Sequence, residues 1–127
     1  MHEFLESPAD VLAVKLSGTI TGEDLDLIMD RTEAILAAHR TIHVYVETHG
    51  LDGIQLSALP HYMGRAMPLF GKRGRFRRVA VVAEQRWVRA SSRLESALLP
   101  GITYLVVGPD RREEALAWAL KGEEPLP

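Results

Sequence analysis

A chain of 127 residues with 46% hydrophobic and 25% charged side chains sits near globular averages, which argues against a disordered, fibrous or membrane-spanning protein. It is long enough to bury roughly two-thirds of the surface its unfolded form exposes, and the absence of cysteine excludes structural disulfides, thiolate nucleophiles and zinc sites built on sulfur. The net charge of −2 hides an asymmetry, because eight basic residues face one acid between Gly71 and Arg93 while the remainder is acidic.

In chain order, HEFLE is a short strand candidate and SPAD sets Pro8 in a tight turn, so Val11 to Gly18 is expected to return antiparallel beside it. Thr21 stands as the N-cap of a first helix, with Asp24 three residues on and Leu25, Ile28, Met29, Thr32, Ile35, Leu36 and His39 at helical spacing. Thr41 to Glu47 reads as a strand. Leu56 to Phe70 predicts a second helix that is weakened from within, because Pro60, Gly64 and Pro68 recur every four residues beside an apolar stripe. Pro68 removes a backbone donor, and Gly64 costs about 1 kcal/mol relative to Ala.

The segment RRVAVVA is a strand whose unbroken apolar run predicts burial on both faces. Glu84 to Leu98 reads as a third helix and Ile102 to Val107 as a last strand. Pro109 to Gly122 is a final helix, expected to be capped by Asp110, with Glu113 at N3 and Gly122 past its end. Strands separated by helices imply right-handed parallel crossovers. The expected fold is one α/β domain over residues 1–127: a mixed, mostly parallel sheet with an antiparallel N-terminal hairpin and about four helices packed on it.

No catalytic constellation follows from the residue types. The histidines are His2, His39, His43, His49 and His61; His39 and His43 have an i, i+4 spacing but straddle a helix-to-strand turn, so they are not expected to converge on a metal. GRAMPLFGKRG departs from a phosphate loop in spacing, places Arg73 where a magnesium-binding Ser or Thr is needed, and follows a helix rather than a strand. Ser91 and Ser92 lie inside a helical pattern, and Glu113 with Glu114 are first-turn acids that suit a helix dipole. No enzyme activity, metal or cofactor is therefore expected. The acidic opening residues and the lack of a long apolar run read as a soluble cytoplasmic chain.

Over residues 4 to 121 the order VLAVKLSGTITGEDLDLI, IHVYVETHGLDGIQLSAL, RRVAVVAEQRWV and EEALAWAL resembles the SpoIIAA-like family, relatives of the STAS-domain anti-sigma factor antagonists. The resemblance implies a STAS-like α/β sandwich with a hydrophobic cavity able to open beneath the second helix, and it implies nonpolar ligand binding and membrane association. One departure bears on mechanism. Where antagonists of this kind carry an Asp-Ser-Ser-Gly-like turn for a phosphoserine switch, this chain reads ETHGLDGIQLS, and Ser57 comes several residues late.

Two sets of candidate binding residues follow. Tyr45, Leu56, Leu59, Met63, Met67, Phe70 and Trp87 are expected to line a hydrophobic pocket under a mobile second helix, its methionines suited to varied ligands. Lys72, Arg73, Arg75, Arg77, Arg78, Arg86 and Arg89 are expected to form a solvated cationic surface for an anionic bilayer, with Arg93 beside them. The four arginines Arg73, Arg75, Arg77 and Arg78, read as exposed, should contribute little to folding. The first functional reading is a non-catalytic domain that binds a nonpolar, lipid-like molecule and docks reversibly on the inner face of the membrane. The alternative is a protein-interaction module related to anti-sigma factor antagonists, without the phosphoserine switch. Nucleic acid is not expected, since few aromatics interleave with the cations, and the sheet edges are compatible with a homodimer.

Overall fold

The structure, a computed structural model, describes residues 1–55, 57, 60–61, 64–65, 68, 75–84 and 103–122. Strand β1 (His2–Phe4) pairs antiparallel with β2 (Val11–Ile20), with Phe4 opposite Val14. The predicted turn closes as the Val11 N–H donates to the Pro8 carbonyl at 3.1 Å. Helix α1 (Gly22–Ala38) follows and leads into β3 (Ile42–Ile54); β4 (Phe76–Val82) and β5 (Thr103–Val107) complete a five-stranded sheet of order β1-β2-β3-β4-β5. The pairs β2/β3, β3/β4 and β4/β5 are parallel, so the sheet is mixed and mostly parallel, as expected.

Helix α1 begins where the sequence places it. The Thr21 hydroxyl accepts from the Asp24 N–H at 3.2 Å and the Asp24 carboxylate accepts from the Thr21 N–H at 2.8 Å, a reciprocal capping box that satisfies two otherwise orphaned donors. Asp24 also meets His2 Nδ1 at 2.6 Å, which ties β1 to the start of α1. Burial raises the Asp24 carboxyl, but the hydrogen bonds from His2 and Thr21 outweigh it and hold the group well below the usual carboxylate range.

Alternation along the strands divides the core between two faces. On one face Leu12 and Ile42 pack with Ile35 and Leu36 of α1, joined by Val44 and Phe76. On the other, Val11, Ala13, Tyr45, Ala80, Val82 and Val107 pack against Ala115, Trp118 and Ala119 of the C-terminal helix α2 (Arg112–Lys121). The two described α-helices thus cover opposite faces.

Three expectations are corrected. Strand β3 does not end at Glu47 but runs to Ile54, because β2 continues to pair with it through Ile20↔Ile54. The register shifts around Gly18, and Gly18 and Gly50 sit at φ +59° and +54°, a region open to glycine at no steric cost. Gly18 and Gly50 thus serve a bulge within a ladder. Asp110 does not cap the last helix. A 3₁₀ turn at Pro109–Arg111 intervenes, α2 starts at Arg112 with no side-chain cap, and Gly122 closes it at φ +73° as predicted. Strand β4 is buried unequally on its two faces: Ala80 and Val82 lie buried under α2, whereas Val79 and Val81 on the other face are half-buried.

Two α-helices, not about four, are present among the described residues. The predicted third helix at 84–98 lies outside them apart from Glu84. Of the predicted second helix, Pro60, His61, Gly64, Arg65 and Pro68 are described with helical backbone, and Ser57 is also described.

Candidate functional site

Tyr45, Glu47 and His49 occupy alternate positions on β3 and so share one face of the sheet. Tyr45 is completely buried, and its hydroxyl donates to Glu47 Oε1 at 2.6 Å. Arg112, in the first turn of α2, donates through Nε to the same oxygen, and His49 Nε2 meets Oε2. The Glu47 side chain is 4% exposed, while those of Arg112 and His49 are 36% and 47% exposed, so the cluster runs from the core to the surface beside the carboxyl end of β4.

Burial pushes the Glu47 carboxyl upward, but hydrogen bonds from Tyr45, His49 and Arg112 overcome it and keep the group below the ordinary glutamate range. Burial and the adjacent Glu47 raise the Tyr45 phenol, and the bond to Glu47 raises Arg112. The result is a fixed, ionised carboxylate with donors on both oxygens and a protonated phenol beside it. Such a carboxylate is poor as a general base, since taking up a proton would break the bonds that hold it. Its effect is to position the start of α2 against the middle of the sheet. Sequence reasoning missed Glu47, His49 and Arg112, although the i, i+2, i+4 spacing of Tyr45, Glu47 and His49 was a signal for a shared face.

The cationic segment divides into residues with different duties. Arg75, expected on a solvated surface, reaches the end of α1: Nη2 donates to the carbonyls of Leu36 and His39, the latter at 2.6 Å, and Nε donates to that of Arg40 at 3.0 Å. Helix α1 has no basic residue in its last turn, so Arg75, just before β4, supplies the positive charge that a helix C-terminus favours. Arg78 does the same for α2, with Nη2 3.3 Å from the Ala119 carbonyl. Arg77 is exposed. Arg75 and Arg78 are therefore helix-capping groups, which corrects their reading as free surface cations, while Lys72, Arg73, Arg86, Arg89 and Arg93 lie outside the described residues.

On the face covered by α2, His43 stands on β3 beside Arg78 of β4, and His43 Nδ1 and Arg78 Nε are buried without a hydrogen-bond partner among the described residues. Burial, and then the charge of Arg78, hold the His43 imidazole below its usual range.

The pocket proposed beneath the second helix is described only in part. Tyr45 lies under α2, and Leu56, Leu59, Met63, Met67, Phe70 and Trp87 lie outside the described residues. Pro60, His61, Gly64 and Pro68 are exposed, while Arg65 turns toward α1 and meets its acidic flank at Asp26, Asp30 and Glu33. Among the described residues no three His, Asp or Glu side chains are grouped to hold a metal ion, and no helix is long and apolar enough to cross a membrane.

A mixed sheet with an antiparallel first pair, parallel crossovers and a helix on each face defines an α/β fold of the STAS-like kind. The SpoIIAA-like family model matches residues 11–120, and the chain belongs to that family. A similar solved structure is that of an uncharacterized protein with a SpoIIAA-like fold from Shewanella loihica PV-4, at 28% identity and a TM-score of 0.63 over 94% of this chain and 92% of that one. No curated protein matches the chain.

Proposed function

We propose that the chain is a non-catalytic domain that binds a nonpolar, lipid-like molecule beneath the 56–70 segment and associates reversibly with an anionic membrane surface. The observation that carries this reading is how the segment is attached. Its described side chains His61 and Arg65 grip α1 through ion pairs at a solvent-facing flank, while the helix-weakening residues Pro60, Gly64 and Pro68 are exposed. Ion pairs of this kind hold weakly and are screened by salt, so they suit a reversible attachment. Family membership and the apolar stripe at positions 56, 59, 63, 67 and 70 support the same reading. The saturated bonding of Glu47 supports a non-catalytic role. For the membrane contribution, Arg77 is exposed, and Lys72, Arg73, Arg86 and Arg89 complete the cationic set in sequence.

Native mass spectrometry of the purified chain tests the ligand: a co-purifying fatty acid or lipid is expected. An apo mass together with no binding of a fluorescent fatty acid would sink the proposal. A second reading, a protein-interaction module without the phosphoserine switch, is favoured by apolar surface on both helices. Leu27 is 42% exposed on α1, and a shallow groove on α2 is lined by Glu113, Leu116, Ala117, Leu120 and Lys121. Capture of a protein partner whose binding is lost on Leu116→Glu, with no lipid present, would establish it instead.

A further inference from the structure

Alternation along β4 is broken once. Ile42 pairs with Phe76, but the next pair in register is Val44 with Val79, so Arg77 and Arg78 together stand opposite the single residue His43. Two residues against one make a β-bulge, which turns every later side chain of the strand to the other face. Phe76 accordingly packs in the α1 layer, whereas Ala80 and Val82 lie under α2. Arg78 is in step with Ala80 and Val82, and it shares the α2 face with His43, which is in step with Tyr45.

Both side chains are held from one end. The His43 N–H donates to the Asp10 carbonyl at 3.0 Å and its Nε2 lies 3.7 Å from Asp10 Oδ2, so Nε2 is turned toward Asp10 and Nδ1 away from it. Arg78 is held by the end of α2. Its Nη2 reaches the Ala119 carbonyl, and the chain passes so close at Gly122 that a Cβ there would lie 3.1 Å from Nη1. Gly122 thus serves a close approach as well as its left-handed φ. With the tip of the guanidinium tied to α2, Nε is not free to swing toward a new acceptor.

His43 is 9% exposed, and its Nδ1 and Arg78 Nε are both buried without a hydrogen-bond partner among the described residues. Buried donors and acceptors are nearly always paired, directly or through an internal water. The two atoms have complementary roles: the arginine Nε–H only donates, and Nδ1 of an imidazole that carries its proton on Nε2 only accepts. A water molecule can accept from the first and donate to the second. Asp10 favours the proton on Nε2, so an anion between the two atoms would need a further proton on Nδ1, and burial and the charge of Arg78 oppose the imidazolium.

We propose that one water molecule is built into the fold between Arg78 Nε and His43 Nδ1, where it fixes His43 as the neutral Nε2–H tautomer and joins β3 to the bulge of β4 beneath the end of α2.

The test is NMR on the isotope-labelled full chain at slightly alkaline pH, together with a high-resolution crystal structure. The His43 ring should carry a proton on Nε2 and none on Nδ1, and the ring proton Hε1 beside Nδ1 should give a cross peak to a water that tumbles with the protein. In the crystal, a peak of density should lie about 2.7–3.2 Å from both His43 Nδ1 and Arg78 Nε. Arg78→Met keeps an unbranched side chain without the Nε–H and should lose the water cross peak, whereas the exposed control Arg77→Gln should keep it. A proton on Nδ1, a parent without the cross peak, or density showing a direct bond between His43 and Arg78 would overturn the bridging water. So would an Arg78→Met variant that retains the cross peak. If Arg78→Met does not fold, the tautomer and the water cross peak of the parent decide alone.

Discussion

Glu47 carries its charge inside the protein because three donors converge on it, and removing the carboxylate exposes what each of them costs when unpaired. Replacing it with Gln keeps the size but leaves Arg112 facing a neutral amide, so Glu47→Gln should lower the stability to urea by about 2 kcal/mol. Tyr45→Phe removes one neutral donor and should cost about 1 kcal/mol. Because the two groups share one hydrogen bond, the double variant should lose less than the summed effects, and strict additivity would show that the bond contributes nothing. His43 gives a second prediction. Its imidazole is held below the usual range, so the unfolded chain takes up the proton first, and stability is fully present above about pH 6.5 and is lost as the pH falls. The urea midpoint of the parent should therefore drop between about pH 7.5 and 5.5 more steeply than that of His43→Gln. Parallel profiles would refute the assignment.

Each of the two described helices ends on an arginine from the β4 region, one just before the strand and one within it. Arg75 at the foot of β4 holds the carbonyls of Leu36, His39 and Arg40, and Arg78 three residues later reaches Ala119 near the end of α2. Arg75→Ser should lower stability by about 1–2 kcal/mol, since it strands several carbonyls at a helix terminus, and Arg78→Ser by about 1 kcal/mol. Arg77→Ser, between them and exposed, should leave the thermal midpoint unchanged. If all three variants melt alike, the capping role is wrong. The arginines of this segment are expected to differ in their contribution to folding according to what each of Arg75, Arg77 and Arg78 reaches.

For the whole molecule, the division changes how the cationic surface has to be tested. Vesicle binding by the parent should weaken steeply with salt, because distributed charges act through a screened potential worth roughly 1 kcal/mol per cation near an anionic bilayer. The variant set that reports on it is Lys72, Arg73 and Arg77 to Ser, which spares both helix caps. That triple variant should lose sedimentation with phosphatidylserine vesicles while keeping the parent's thermal midpoint. A triple variant that still sediments at moderate salt, or a parent that never does at low salt, means the cations serve solubility rather than a membrane.

The sequence by itself determined the order of the described strands and helices, the antiparallel opening pair, the capping box at Thr21 and Asp24, the glycine at the end of α2 and the family. All of these follow from local periodicity, turn chemistry and motif order, which need no knowledge of the partner across the sheet. Tertiary structure decided the rest. Whether Gly50 marks a turn or a bulge depended on β2 being long enough to pair beyond Glu47. Asp110 lost its expected cap because Pro109 opens a 3₁₀ turn before α2. Arg75 and Arg78 became caps because β4 and the residue before it pass the ends of two helices distant in sequence, and Glu47 found Arg112, 65 residues away, only through the packing of α2 on the sheet. Contacts of that kind are set by the meeting of elements in space, and residue type at one position carries no record of them.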